Sequence, residues 1–112
     1  MQTAITARHF ELTPQMKEYV TKRVEKLERY SHYIMNAEII LAKDGGLELA
    51  EGKLHLKHDV LTARAQAADL YQSITEVVDR LVTQLKRHDE RMKDRKKVEG
   101  HRATGSPTEY EG

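Results

Sequence analysis

Residues 69–97, DLYQSITEVVDRLVTQLKRHDERMKDRKK, decide the fold of this 112-residue chain. Apolar residues recur there every three or four positions, which is typical of an amphipathic helix. Asp69 precedes the first of them and Gln72 follows three residues later, as in a capping box. We therefore predict a helix over residues 70–97. Its apolar stripe consists of Leu70, Ile74, Val77, Val78, Leu81, Leu85, His88 and Met92.

This predicted helix is longer than any strand it can cover. At ~1.5 Å per residue it extends about 42 Å, whereas a strand of eight to ten residues covers roughly 26–33 Å. The last turns are therefore predicted to overhang the sheet, and the apolar stripe thins after Leu85 as an overhang requires.

The rest of the chain predicts one more helix and four strands. Thr13 and Pro14 form a good helix start, with Thr as the N-cap and Pro at the first helical position. The first helix is expected over residues 14–30. Strands are predicted over residues 2–10, 37–43, 47–56 and 60–67, the last three as an antiparallel meander. The order β-α-β-β-β-α is an α+β fold, with two one-sided helices on one face of a four-stranded sheet.

Length and composition indicate one domain over residues 1–97. Residues 98–112 are polar and rich in Gly, Ser and Pro at their end, and we predict a disordered tail there. The chain has no cysteine, which suits a reducing compartment. It has no apolar run near the roughly 18 residues of a membrane span and no signal-peptide h-region at its start. We expect a cytoplasmic protein.

Charge is unevenly distributed although the net charge is only +1. Residues 79–97 hold eight basic and four acidic side chains, a balance of +4. Residues 17–29 hold five basic and three acidic side chains, a balance of +2. Residues 36–70 hold four basic and six acidic side chains, a balance of −2. A molecule polarised in this way points to a charged partner.

The basic side chains of both predicted helices follow stripes. At 100° per residue, Arg80, Gln84, Arg87, Arg91 and Arg95 share one flank of the long helix, and Lys22, Lys26 and Arg29 share one flank of the first. Two helices side by side could merge these flanks into one surface for RNA phosphates, which suit the forked donors of arginine. The alternative is a solvated helix face with pairs at i,i+4 such as Asp89 and Lys93.

The sequence shows no constellation for catalysis, metal or cofactor binding. His55 and His58 fall across a strand end and a turn, without an obvious third ligand. The adjacent carboxylates Asp89 and Glu90 point about 100° apart on a helix, so they do not form an acid–base pair. With one Phe, no Trp and tyrosines that we assign to the core and its edge, a stacking platform for bases is not predicted.

Several motifs resemble the ribosome hibernation promoting factor family, which includes the ribosome-associated inhibitor proteins. The first helix carries Leu12-Thr13, Tyr19-Val20 and Lys26-Leu27-Glu28 in that family's order. The long helix opens with Asp69-x-Tyr71-x-x-Ile74. It continues with Asp79-Arg80-Leu81-x-x-Gln84-Leu85-x-Arg87-His88, where the family has D-K-L-x-x-Q-L-x-K-H. The resemblance covers about residues 1–96.

This resemblance implies a fold similar to a double-stranded RNA-binding domain. It also implies binding to the small ribosomal subunit over the decoding centre, which blocks mRNA and tRNA and stops translation in stress or stationary phase. The protein would be a monomer off the ribosome and not an enzyme. The positions matching the family's basic residues, with expected contacts to ribosomal RNA phosphates, are Arg23, Lys26, Arg80, Arg87, Arg91 and Lys93. Asp69 and Tyr71 are expected to be structural.

Some points stay open in the sequence. Thr83 stands where many members have a basic residue, so one RNA contact is in doubt. The tail matches no known pattern, so promotion or opposition of ribosome pairing is undecided. A general double-stranded RNA-binding module remains an alternative function. Another is a protein-interaction module that pairs through the long helix.

Overall fold

The computed structural model describes residues 1–31 and 33–101, with side chains up to residue 91. The elements are β1 (Gln2–Arg8), α1 (Pro14–Glu25), a 3-10 turn (Lys26–Arg29), β2 (Ile34–Asp44), β3 (Leu47–Leu56), β4 (Val60–Ala67) and α2 (Leu70–His101). This order confirms the predicted β-α-β-β-β-α fold.

The four strands form one mixed sheet in the order β1-β2-β3-β4. β1 runs parallel to β2, with Ile5 opposite Ile39, and α1 makes the crossover between them. β2, β3 and β4 form the predicted antiparallel meander, in which Glu51 lies opposite both Ile40 and Arg64. A parallel pair needs such a long crossover, whereas antiparallel neighbours need only tight turns.

Both helices lie on one face of the sheet. α2 packs against β3 and β4, and α1 lies beside it and contacts β1. Alternate strand residues such as Ile39, Leu41 and Leu54 are buried beneath the helices, and Leu81 and Leu85 of α2 are fully buried against them. The opposite face of the sheet carries Arg8, Glu51 and Arg64 and is left open.

Gly52 sets how closely α2 approaches the sheet. A Cβ at this position would lie 2.9 Å from Leu81 Cδ1 and from Val77 Cγ1. Real Cβ contacts are longer than this, so any side chain here would force Leu81 and Val77, or the helix that carries them, to shift within a packed core. The central strand therefore has a glycine where the long helix crosses it.

The ends of several elements differ from the prediction. Thr13 caps α1 as expected, because its Oγ1 accepts from Met16 N at 3.1 Å, but regular α-helix ends at Glu25 and the 3-10 turn completes the predicted span. β2 begins earlier than predicted, at Ile34, and has a bulge between Ile34 and Asn36. β1 stops at Arg8, and His9 follows it with a φ of 69°.

The long helix begins as predicted and runs further. Asp69 Oδ1 accepts from Tyr71 N at 2.8 Å, which caps the first turn. α2 then continues to His101, four residues past the predicted end at residue 97. Helical backbone thus occupies the first part of the predicted tail, and residues 102–112 lie outside the described residues. In the part of the chain that is described, no helix has the length and apolar character to cross a membrane.

Candidate nucleic-acid interface

The flank of α2 that faces β4 uses two of its polar side chains to bind the sheet. Gln84 Nε2 donates to the carbonyl oxygen of Thr62 at 2.7 Å. The Arg80 guanidinium donates to the carbonyl oxygen of Arg64 and lies 3.7 Å from Glu76. These acceptors belong to the outer edge of β4, which has no further strand beside it. Arg80 and Gln84 therefore cover an edge that would otherwise be open to strand pairing.

Two arginines on the same flank lie further along the helix. Arg87 and Arg91 follow Gln84 at the spacing of one face of a helix, and both are exposed. For the described residues, no hydrogen bond or ion pair is recorded to either guanidinium. His88 Nε2 lies 3.6 Å from Asp59 in the turn between β3 and β4, so α2 passes the end of the sheet here. Arg87 and Arg91 thus stand where the helix leaves the sheet.

Arg23 lies on the other side of α2, where it joins the two helices. Its Nη2 donates to Thr75 Oγ1 at 2.8 Å, and its Nε donates to Tyr19 OH at 3.2 Å. The guanidinium carbon is 5.5 Å from the centre of the Tyr19 ring. Arg23 is half-buried, because its stem packs between the helices while its guanidinium makes these contacts.

The Arg23 contact also shifts the acidity of Tyr19. Burial raises the pKa of the Tyr19 phenol, but hydrogen bonds from Thr75 and Arg23 and the charge of Arg23 outweigh burial. The net result is a pKa below the usual value of 10.0. The phenol and the guanidinium are therefore electrostatically coupled across the α1–α2 contact.

Two basic residues of the predicted site remain, Lys26 and Lys93. Lys26 is exposed in the 3-10 turn after α1. Close to that turn, Lys86 Nζ of α2 lies 5.5 Å from the centre of the Tyr30 ring. Lys93 belongs to α2, but its side chain lies outside the described residues.

The structure does not merge the two basic flanks into one surface. Arg80 binds the edge of β4, whereas Thr75 and Lys86 of the same helix face α1 and the turn after it. The body of α2 therefore stands between its arginine stripe and the helix that carries Lys22, Lys26 and Arg29. The prediction of a joint flank was therefore wrong. Its physical reason is that α2 packs over β3 and β4, which turns its arginine stripe outward to the sheet edge and away from α1.

Two histidines, His55 and His88, have carboxylate neighbours. His55 Nε2 lies 3.1 Å from Glu38 Oε1 on the open sheet face. His88 is mostly buried, with Asp59 at 3.6 Å and Asp89 at 4.0 Å. Among the described residues, no group of three or more His, Cys, Asp or Glu side chains is arranged to hold a metal ion.

Sequence reasoning missed an exposed aromatic cluster. Tyr30 and Tyr33 are 39% and 43% exposed, and Met35 beside them is 62% exposed. Tyr30 continues the spacing of the first helix, so periodicity assigned it to the core. A signal was nonetheless present, because Tyr30 and Tyr33 flank the connection between a helix and a strand, where rings often remain at the surface.

The family of the chain follows from its sequence as well as its fold. Residues 3–93 match the model of the Sigma 54 modulation protein / S30EA ribosomal protein family. The match spans most of the chain, which therefore belongs to this family.

Particular relatives agree with the assignment. The chain is 32% identical over 93 residues to a ribosome hibernation promoting factor of Klebsiella oxytoca, covering 83% of this chain and 98% of that protein. Its structure is similar to the N-terminal domain of Protein Y from Thermus thermophilus, with a TM-score of 0.74 and 32% identity over 79% of this chain and 99% of that one. A ribosomal subunit interface protein from Coxiella burnetii shares the fold, with a TM-score of 0.73 and 22% identity. That comparison covers 80% of this chain and 99% of the other. The resemblance seen in the motifs is thus confirmed.

Proposed function

We propose that this protein is a ribosome hibernation factor that binds the small ribosomal subunit over its decoding centre. By occupying the decoding centre, the protein excludes mRNA and tRNA and so inhibits translation in stress or stationary phase. It acts in the cytoplasm and without chemical turnover. The names of its relatives support the ribosome as partner. The single observation that carries the RNA contact is the exposed pair Arg87 and Arg91 where α2 leaves the sheet.

The chemistry of that pair suits a phosphate backbone. A guanidinium has five donors in a planar fork and binds phosphate in a bidentate manner. Because Arg80 is already bound to β4, it would position α2 and share only its remaining donors with RNA. Lys26 and Lys86 offer a second basic region on the α1 side, so the RNA would meet two separate areas of charge.

Co-sedimentation of the protein with bacterial small ribosomal subunits over a salt series tests the proposal. Binding to phosphates releases counterions, so the logarithm of the binding constant should fall linearly with the logarithm of the salt concentration. The slope of this line should be about −1 for each phosphate contacted. Subunits loaded beforehand with mRNA and P-site tRNA should bind the protein much more weakly, and cell-free translation should decline as the protein is added.

Other outcomes would assign a different function. Equal affinity for free duplex RNA and for subunits would favour a general double-stranded RNA-binding module. Subunit binding that is insensitive to salt would favour a protein-interaction module. Unchanged binding to loaded subunits would refute the decoding centre as the site.

A further inference from the structure

Exposed apolar side chains gather at one end of the sheet. In the described part of the chain, six large hydrophobic side chains are exposed, and Tyr30, Tyr33, Met35 and Val60 are four of them. All four lie at the end where β2 and β4 begin, which is also where α2 leaves the sheet. The cluster of Tyr30, Tyr33 and Met35 is called the tyrosine patch below.

Two features of the described backbone lie beside the tyrosine patch. Tyr33 N donates to the Oγ of Ser31, a buried side chain, at 3.1 Å. Ile34 pairs with Leu56 and Asn36 pairs with His55, so Met35 is the extra residue of a β-bulge. Bulges re-aim side chains and often lie next to functional sites. The bulge therefore leaves Met35 exposed two residues after Tyr33.

Tyr30 has basic neighbours, and the carboxylates of Asp59 and Asp89 lie beside His88 at the same end of the sheet. Lys86 Nζ lies 5.5 Å from the centre of the Tyr30 ring, and Arg87 follows it on α2. Arg29, which is exposed, directly precedes Tyr30. The groove at the opposite end of the sheet differs, because Phe10 and Tyr71 there are accompanied by Glu11, Glu48 and Asp69 with only Lys43. Charge thus favours an anionic partner at the tyrosine patch and not at the other groove.

We propose that the Tyr33 ring stacks on an unpaired nucleobase of RNA, at the end of the sheet where Tyr30 and Lys86 also lie. This inference rests on the proposed function and adds a base contact to the phosphate contacts of α2. Sequence-tolerant recognition of unpaired RNA combines aromatic faces with nearby cations. Because Lys86 already lies over Tyr30, the ring of Tyr33 is the better platform.

The test compares Tyr33→Ala, Tyr33→Phe and Leu47→Ala for affinity to small ribosomal subunits. Leu47 is 42% exposed at the opposite end of the sheet and is the matched control. Loss of one base stack corresponds to roughly fivefold to a hundredfold weaker binding. Tyr33→Ala should show this loss, while Tyr33→Phe and Leu47→Ala should bind as the unaltered protein does. All three should keep its melting temperature.

Ultraviolet crosslinking of the unaltered complex locates the contact. Trypsin releases Tyr30 and Tyr33 in one peptide, YSHYIMNAEIILAK, and the proposal predicts a nucleotide adduct on it. Equal binding of Tyr33→Ala and the unaltered protein, with subunit binding intact, would overturn the stacking while leaving the proposed function standing. Loss of binding in Tyr33→Phe, which keeps the aromatic ring, would also overturn the stacking. A crosslink from this peptide to a ribosomal protein would overturn it as well. Failure of the unaltered protein to bind subunits would overturn both proposals.

Discussion

Arg23 and Arg80 differ from Arg87 and Arg91 in what they already bind. Arg23 connects α1 to Thr75 of α2, and Arg80 connects α2 to the edge of β4. Arg87 and Arg91 continue the stripe of Arg80, but the sheet ends beneath them. Within α2, one stripe of arginines thus has two roles, which depend on whether the sheet extends beneath the residue.

The comparison teaches that a basic stripe is not automatically a binding surface. The first part of the stripe fixes the helix on the sheet and lowers the exposure of the β4 edge. Among the side chains that the structure describes, the guanidinium groups of the second part bind no other residue, so a phosphate can reach them without breaking such bonds. We name Arg23 of α1 and Arg80 of α2 the anchored arginines, and Arg87 and Arg91 of α2 the outlying arginines.

Gly52→Val should have the largest effect, because it disturbs the packing of α2, the helix that carries Arg80, Arg87 and Arg91. The new side chain would overlap Leu81 and Val77, which are buried and packed. We expect a loss of about 3 kcal/mol in the free energy of unfolding and a fall of more than about 10 °C in the melting temperature. Thermal unfolding followed by circular dichroism measures this, and an unchanged melting temperature would contradict the close helix approach.

Arg80→Ala combined with Gln84→Ala should lower stability by about 2 kcal/mol, since each removes a hydrogen bond to the β4 edge. The matched control is Arg87→Ala with Arg91→Ala, which removes two side chains from the same helix and should leave the melting temperature within about 2 °C. Equal melting temperatures for the two double variants would remove the distinction between anchored and outlying arginines.

Arg23→Ala should lower the free energy of unfolding by about 1 kcal/mol, because one hydrogen bond to Thr75 and one to Tyr19 are lost at a half-buried position. Lys17→Ala, an exposed change on α1, is the control and should have no measurable effect. Urea titration gives both values. A cost no larger for Arg23→Ala than for Lys17→Ala would mean that the helix contact contributes nothing.

The smallest effect concerns the titration of Tyr19. Its lowered pKa means that the folded protein favours the phenolate. The resulting stabilisation is present above the pKa of the unfolded chain, near 10, and is lost as pH falls through the lower pKa of the folded state. Ultraviolet absorbance at alkaline pH should therefore show that Tyr19 ionises earlier than normal. Arg23→Ala should move that step to higher pH, and an unmoved step would exclude the coupling.

Much of the fold could be predicted from local patterns. Thr13 with Pro14 and Asp69 mark helix starts whose capping bonds depend only on neighbouring residues. Period-two and period-3.6 patterns separated the strands from the helices, so the element order was confirmed. The bulge at Met35 and the 3-10 turn after Glu25 were not predicted, because both result from fitting the chain to distant elements.

The candidate site was less accessible to sequence reasoning. Helical spacing correctly grouped Arg80, Gln84, Arg87 and Arg91 on one flank, but it cannot tell which neighbour that flank will face. The carbonyl groups of Thr62 and Arg64, which bind Gln84 and Arg80, lie about 20 residues away in the chain. Likewise, spacing alone could not show that Tyr30 and Tyr33 remain exposed.

The most direct test of the account compares Arg87→Glu/Arg91→Glu with Arg8→Glu/Arg64→Glu in binding to small ribosomal subunits over a salt series. Both double variants reverse two exposed arginines, but Arg8 and Arg64 lie on the open face of the sheet. We expect the first to bind about fiftyfold more weakly near 0.1 M salt, with the slope of log K against log salt reduced by almost two, and to melt as the unaltered protein does. The second should bind normally. Equal binding by both variants, or a loss in the first that is accompanied by unfolding, would contradict the claim that the outlying arginines contact ribosomal RNA.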